Sequence, residues 1–347
     1  MTALTIPAAS RSARLLALAS AGVFCGLAAM ALGITVLGKV HRPEIVMDLS
    51  APLQPRQSAV LSVATPATQA APPAAIGKAV FAGNALVADP ALIENSLQGP
   101  LPRIADDGRK PMTAYAAPAL SGKFRIAVVV SGLGTSAKAT TAALANLPAG
   151  VTLAFAPYAV DLQHWVSQSR QLGHEALLEV PMEPFDFPDS DPGPHTLRSG
   201  VDRDANGERL DWALSRFTGY AGVTNLLGQR FLADADSLSP TMIQLFRRGL
   251  YFYDNGAVAQ SAAEDVASRS GVSFAKATEA LDGIQTALEI DKHLSDLEAQ
   301  ARDHGSAVGS GSLYPVTVER IAAWAKTLER RGFVLVPVSA IVSLPTK

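Results

Sequence analysis

The chain has 347 residues, and its 29 Lys and Arg against 31 Asp and Glu leave no basic stripe, which excludes nucleic acid as a partner class. A single cysteine, Cys25, excludes disulfides and leaves no thiolate for metal binding or catalysis elsewhere in the chain. A hydrophobic share of 48% beside a charged share of 17% marks an Ala-rich chain with one segment apolar enough for a membrane.

Residues 1–14 form a short tail in which Arg11 and Arg14 suit a cytoplasmic amino terminus. Residues 15–38 then run for 24 positions without a charge, where a helical span needs roughly 20. A cleaved signal ending near Ala29-Met30-Ala31 is the competing reading, but the apolar run continues to Leu37, which favours an uncleaved anchor. Either way the rest of the chain crosses the membrane. The expectation is a single-pass protein of the bacterial inner membrane with its carboxy-terminal domain in the periplasm.

Residues 39–122 read as a Pro/Ala-rich linker, as in ATPATQAAPPAA from Ala64 to Ala75, which buries too little apolar surface to offset its ordering entropy. Leu101 to Pro118 mixes Ile, Met and Tyr with turn residues and is expected to lie along the domain surface. Asp106-Asp107-Gly108 reads as a polar turn rather than a metal loop.

Residues 123–347 carry the domain. Phe124 to Val130 is short, apolar and β-branched, as a buried parallel strand requires. The chain is expected to break at Ser131, Gly132 and Gly134 and to enter a helix from about Lys138. Further strands read at Val151–Phe155 and Ala221–Leu226. Gly173, Gly249, Gly305 and Gly332 each close a helical stretch and are followed by an apolar strand, the place where a left-handed cap residue is needed. Leu210, Ala213, Leu214 and Phe217 form one apolar helix stripe; Ile321, Trp324, Ala325 and Leu328 form another. Strand and helix in alternation predict an α/β fold, a (β/α) barrel of seven or eight parallel strands, with chemistry at the strand carboxyl ends.

Gly132 to Ala137 matches a dinucleotide-binding fingerprint, but the second strand ends Phe155-Ala156-Pro157-Tyr158 without the acidic residue that would hold a ribose. A plain tight turn is the expectation, and no cofactor. Among the six histidines, His174 and His304 flank helix-ending glycines, where surface or cap roles are expected, and His164 and His293 fall within helices. None lies at the end of a strand, so no metal site is expected from them.

The order of segments resembles the divergent polysaccharide deacetylase family from Leu101 to Val342. The landmarks are IAVVVSGLG (Ile126–Gly134), VTLAFAPYA (Val151–Ala159), GHEALLEVPMEP (Gly173–Pro184), DPGPHTL (Asp191–Leu197), LSRFTGYAGVTNLLG (Leu214–Gly228) and RRGFVLVPVSA (Arg330–Ala340). The resemblance implies a deacetylase-like β/α barrel and a place in carbohydrate metabolism. The wider group uses a metal held by one Asp and two His to activate water on an acetyl group. Here the Asp-Asp expected after the first strand is Ser131-Gly132, and the Asn-His of GVNNHMG is Asn225-Leu226 in GVTNLLG. The His expected near the end is Ser312 in SGSLYP. Carried over residue by residue, the metal ligands are missing.

What remains at the strand ends is Ser131, Glu179, Glu183, Asn225, Asp254, Asp282, Ser310 and Ser312, beside the aromatics Tyr158, Phe185 and Tyr253. Ser131, Asn225, Ser310, Ser312 and Tyr158 suit hydrogen bonding and stacking on a sugar. The leading expectation is a metal-free binder of cell-envelope glycan or of an envelope protein. The alternatives are a deacetylase or hydrolase rebuilt on Glu179, Glu183, Asp254 and Asp282, and an envelope scaffold using the barrel's outer face.

Overall fold

A computed structural model describes residues 88–343; the tail, the apolar segment 15–38 and most of the linker lie outside the described residues. Among the described residues no helix is long and apolar enough to cross a membrane. The described chain begins with a hairpin of β1 (Ile93–Ser96) and β2 (Gly99–Pro102) and a single turn of helix, α1 (Pro111–Ala114). Eight further strands then form one curled parallel sheet. They are β3 (Phe124–Leu133), β4 (Thr152–Phe155), β5 (Ala176–Met182), β6 (Gly222–Leu227), β7 (Tyr251–Asp254), β8 (Phe274–Lys276), β9 (Glu279–Ala280) and β10 (Ser306–Ser312). Their order is β8-β7-β6-β5-β4-β3-β10-β9, and β11 (Phe333–Leu335) pairs with the first residues of β3.

The edge strands β8 and β9 are consecutive in sequence, so the chain itself spans the seam. Ala277 donates its N–H to Asp254 on one side of that seam, and Thr278 donates to Val308 on the other. The outer edge of β8 is covered by the carboxy-terminal segment: Phe274 and Ser343 exchange both backbone hydrogen bonds.

Helices cover the outside: α2 (Ala137–Asn146), α3 (Leu162–Gln171), α4 (Arg203–Leu214), α5 (Gln229–Ala233), α6 (Ala235–Arg247), α7 (Ala263–Ser270), α8 (Ala287–His304) and α9 (Pro315–Leu328). Strand alternation divides the core in two. Ile126, Val128 and Val130 of β3 face the helices, where they join the buried stripe Leu210, Ala213, Leu214 and Phe217. Ala127, Val129, Leu177, Tyr251, Tyr253 and Val308 face the interior of the curl. Gly173, Gly249, Gly305 and Gly332 all have positive φ, from 69° to 91°, as the helix-closing role requires.

Three expectations change. β3 does not stop at Val130 but continues to Leu133, because Gly132 at φ 88° allows a bulge that still leaves Ser131 paired with Ser312 and Leu133 with Phe155. Residues 88–100, assigned by composition to the linker, belong to the compact structure, and Leu101 to Pro118, expected along the domain surface, is packed into it. Leu92, Ala105 and Tyr115 are buried in the interior cluster, and the Ala117 N–H reaches the buried Glu175 carboxylate at 3.2 Å. Asp106 and Asp107 pair with Arg103 and Arg109 in a polar turn, as expected. Finally, His174 is not at the surface but 1% exposed, with Nδ1 2.9 Å from the Val151 carbonyl. It follows Gly173 directly into β5, and burial lowers its pKa.

Candidate functional site

The register of the sheet decides which strand-end residues share a surface, because residues paired across parallel strands point to the same face. Glu179 lies two residues after interior Leu177 and is paired with Thr224, which is paired with interior Tyr253. Ser310 is paired with interior Val129, and Ser312 with Ser131 one alternation further on. Glu179, Thr224, Tyr253, Ser310, Ser131 and Ser312 therefore line the inside of the curl at its carboxyl end. The three serines are half-buried.

Glu179 is the acid of this set. It is 2% exposed and its Oε1 accepts a hydrogen bond from the N–H of Gly132. Burial raises its pKa from 4.5 to about 7, and the Gly132 N–H only partly offsets this. The bond also engages the Gly132–Ala137 turn, whose first N–H serves a carboxylate of the chain itself. Beside Glu179, on β6, the Thr224 hydroxyl is buried without a partner among the described residues. Burial pushes the Tyr253 phenol up, with Ser310 acting against the shift.

The other three candidate acids do not join Glu179. Glu183 lies past the end of β5, where Oε2 accepts the Ser199 N–H at 2.7 Å. Its backbone carbonyl receives the N–H groups of Arg230 and Phe231 at the start of α5. It fastens the loop 184–199 to the barrel. Asp254 follows inward-facing Tyr253, so alternation turns it from the interior; one oxygen accepts the Gly256 N–H at 2.9 Å, and the other is buried without a partner. Asp282 accepts from the Ser312 N–H at 2.6 Å and the Thr317 hydroxyl at 2.9 Å, tying β10 to α9. Asn225 is saturated as well: it donates to the Leu227 carbonyl and Asn255 Oδ1, and accepts from the Asn255 N–H.

The aromatic residues separate in the same way. Tyr253 is fully buried and offers no face to a sugar, contrary to its reading from the sequence, because the interior parity of β7 packs it against the core. Tyr158 is 38% exposed, accepts the His195 N–H at 3.0 Å, and lies against Trp212 with ring centroids 4.8 Å apart. His195 stacks on the same indole at 3.8 Å. Phe185 stands 68% exposed in the loop after β5.

The donor set at the mouth does not fit the one-Asp, two-His metal site that the resemblance implies. Ser131, Gly132, Leu226 and Ser312 occupy the matching positions, and the nearby acids Asp254 and Asp282 already accept backbone N–H bonds. Among the described residues, Glu279, His293 and Asp296 form the one group of three His, Cys, Asp or Glu side chains close enough to share an ion. That group lies on β9 and α8, outside the mouth. Sequence reasoning also missed Glu175, which is fully buried. It accepts from the Tyr251 hydroxyl at 2.9 Å, from the Ser339 N–H at 3.1 Å and from Ala117. Its placement one residue before β5, beside His174, was the available signal.

The chain has relatives of known sequence and of known structure. The chain is 25% identical to the uncharacterized protein YibQ of Escherichia coli over 207 residues, 60% of this chain and 63% of that protein, so it spans less than two thirds of YibQ's length. It is 24% identical to an uncharacterized protein of Haemophilus influenzae, covering 59% of this chain and 72% of the relative. The crystal structure of an uncharacterized protein from Agrobacterium tumefaciens, 40% identical, matches 70% of this chain and 100% of its own with a TM-score of 0.69. Residues 128–342 match the divergent polysaccharide deacetylase pattern, and with the curled parallel sheet and its strand-end landmarks in place, the chain belongs to that family.

Proposed function

We propose that this protein is anchored in the inner membrane through residues 15–38 and presents its deacetylase-like domain to the periplasm, where it binds cell-envelope glycan without metal-dependent hydrolysis. The observation that carries the reading is the chemistry of the mouth. Its accessible inward-facing groups are the half-buried hydroxyls of Ser131, Ser310 and Ser312, with the carboxyl of Glu179 buried in the same interior set and no histidine among them. Such a surface suits sugar hydroxyls and amides, and the exposed rings of Tyr158 and Phe185 suit stacking. The test is calorimetric titration of the full chain with acetylated amino-sugar oligomers, run beside an acetate-release assay with and without added divalent metal. Saturable binding with no acetate is expected. Acetate release would overturn the reading, and so would the absence of any binding, which would favour an envelope-protein partner or a scaffold role.

One observation favours a second reading. A buried carboxyl with a pKa of about 7 is poised for proton transfer at physiological pH, so Glu179 is the residue on which a rearranged hydrolase would be built. Glu183 and Asp282 are held as tethers, and Asp254 faces away, which leaves Glu179 without a second carboxylate in the mouth for a two-acid mechanism. If turnover is found, Glu179→Gln is expected to abolish it, whereas a binder shows only a graded loss of affinity.

A further inference from the structure

The register of the short strand β9 sets Glu279 opposite Gly309, which shares a face with helix-side Ala307. Glu279 therefore points away from the mouth and toward α8. There His293 brings Nδ1 to 2.6 Å from Glu279 Oε1, and Asp296, three residues on and so on the same helix face, brings Oδ2 to 4.0 Å from that nitrogen. All three ligand atoms lie within 4.8 Å of one another and are half-buried. A simple His–Glu hydrogen bond accounts for the first contact. It does not account for a second carboxylate standing 4.0 Å from the same ring nitrogen, nor for the arrangement behind it. Gln300 donates Nε2 to the other oxygen of Glu279 at 2.7 Å, holding that carboxylate in place as outer partners of metal ligands do. The Gln300 carbonyl oxygen is itself buried with no partner among the described residues.

We propose that Glu279, His293 and Asp296 form a binding site for a divalent transition-metal ion, zinc being the best fit, on the outer side of the sheet. With bonds of about 2.0–2.2 Å, tetrahedral ligands stand roughly 3.4 Å apart, so the present spacings need only small side-chain rotations around an inserted ion. One imidazole and two carboxylates select zinc, cobalt or nickel over magnesium or calcium, and three protein ligands leave a fourth position for water. Because β9 is only two residues long and forms one side of the seam, the ion would join that strand to α8 and strengthen the closure of the curl. The proposal is independent of glycan binding at the mouth.

The test is titration of the full chain with zinc and with cobalt at pH 7.5, read by calorimetry, by the visible absorption of tetrahedral cobalt and by the melting temperature. One ion per chain is expected, with cobalt bands and a rise in melting temperature of several degrees once the free metal is about 100 times Kd. His293→Gln, which keeps a donor for Glu279, is expected to lose the bands and the shift while melting cooperatively in the absence of metal. Asp296→Asn, on a half-exposed side chain, is the second variant should the first not fold; it is expected to weaken uptake at least tenfold. No stoichiometric uptake by the native chain would overturn the proposal, as would uptake unchanged in the variants.

Discussion

Glu179 and Asp254 look alike in the sequence, each an acid at the end of an apolar run, and strand parity alone separates them. Glu179 keeps company with Thr224 and Tyr253 inside the curl, while Asp254 is turned from it. The consequence is measurable through stability. A carboxyl raised from 4.5 to about 7 in the fold binds its proton more tightly there than in the unfolded chain. Its contribution is therefore fully present below pH 4.5 and is lost as pH rises toward 7, amounting to about 3 kcal/mol. Glu179→Gln is expected to flatten that decline in urea-unfolding series from pH 5 to 8; an unchanged slope would mean that Glu179 titrates normally. Glu175, also raised by burial, adds a decline of the same sign, so the flattening is partial. The eight strand-end residues were legible as polar positions in a known order. Their roles were not, because Glu183, Asn225 and Asp282 find their partners at Ser199, Asn255 and Thr317, residues brought near only by the fold.

At the level of elements, the glycine punctuation was the most readable signal, since a left-handed helix end admits few residues other than glycine. The extension of β3 through Gly132 was not readable, because a glycine that ends a strand and one that allows a bulge look the same in one dimension. Gly134 has a sharper requirement. Its φ is 89°, and a Cβ there would stand 2.7 Å from the Cβ of Ala159 in the loop after β4. Gly134→Ala is expected to destabilise the domain by about 2–4 kcal/mol, from backbone strain and overlap together. A midpoint within error of the native protein in chemical denaturation would show that the loop gives way freely. The hairpin of β1 and β2 was hidden for a different reason. The buried residues in and around it, Leu92, Leu101 and Ala105, are spaced irregularly among Pro, Asp and Gly, so no period marks them as core.

For the whole molecule, that hairpin moves the beginning of the folded unit. A fragment starting at Lys123, where composition places the domain boundary, removes Leu92 and Tyr115 from the interior cluster and leaves Glu175 without the Ala117 N–H. It is expected to be poorly folded, whereas residues 88–347 melt cooperatively; circular dichroism of the two fragments decides the matter. The seam has a further consequence. A curled sheet that stops short of full hydrogen-bonded closure carries two strand edges, and an unpaired edge invites a strand from another molecule. Here one edge is the two-residue β9, too short to be a good template, and the other is capped at Phe274 by Ser343. The last residues of the described chain thus act as a guard against self-association. Removing residues 343–347, which takes away the Ser343 cap and leaves Ile341 and Val342 packed on the interior cluster, is expected to leave the melting temperature nearly unchanged while producing dimers and larger species in sedimentation at tens of micromolar protein. A strictly monomeric truncated chain would show that β8 is protected by its brevity alone.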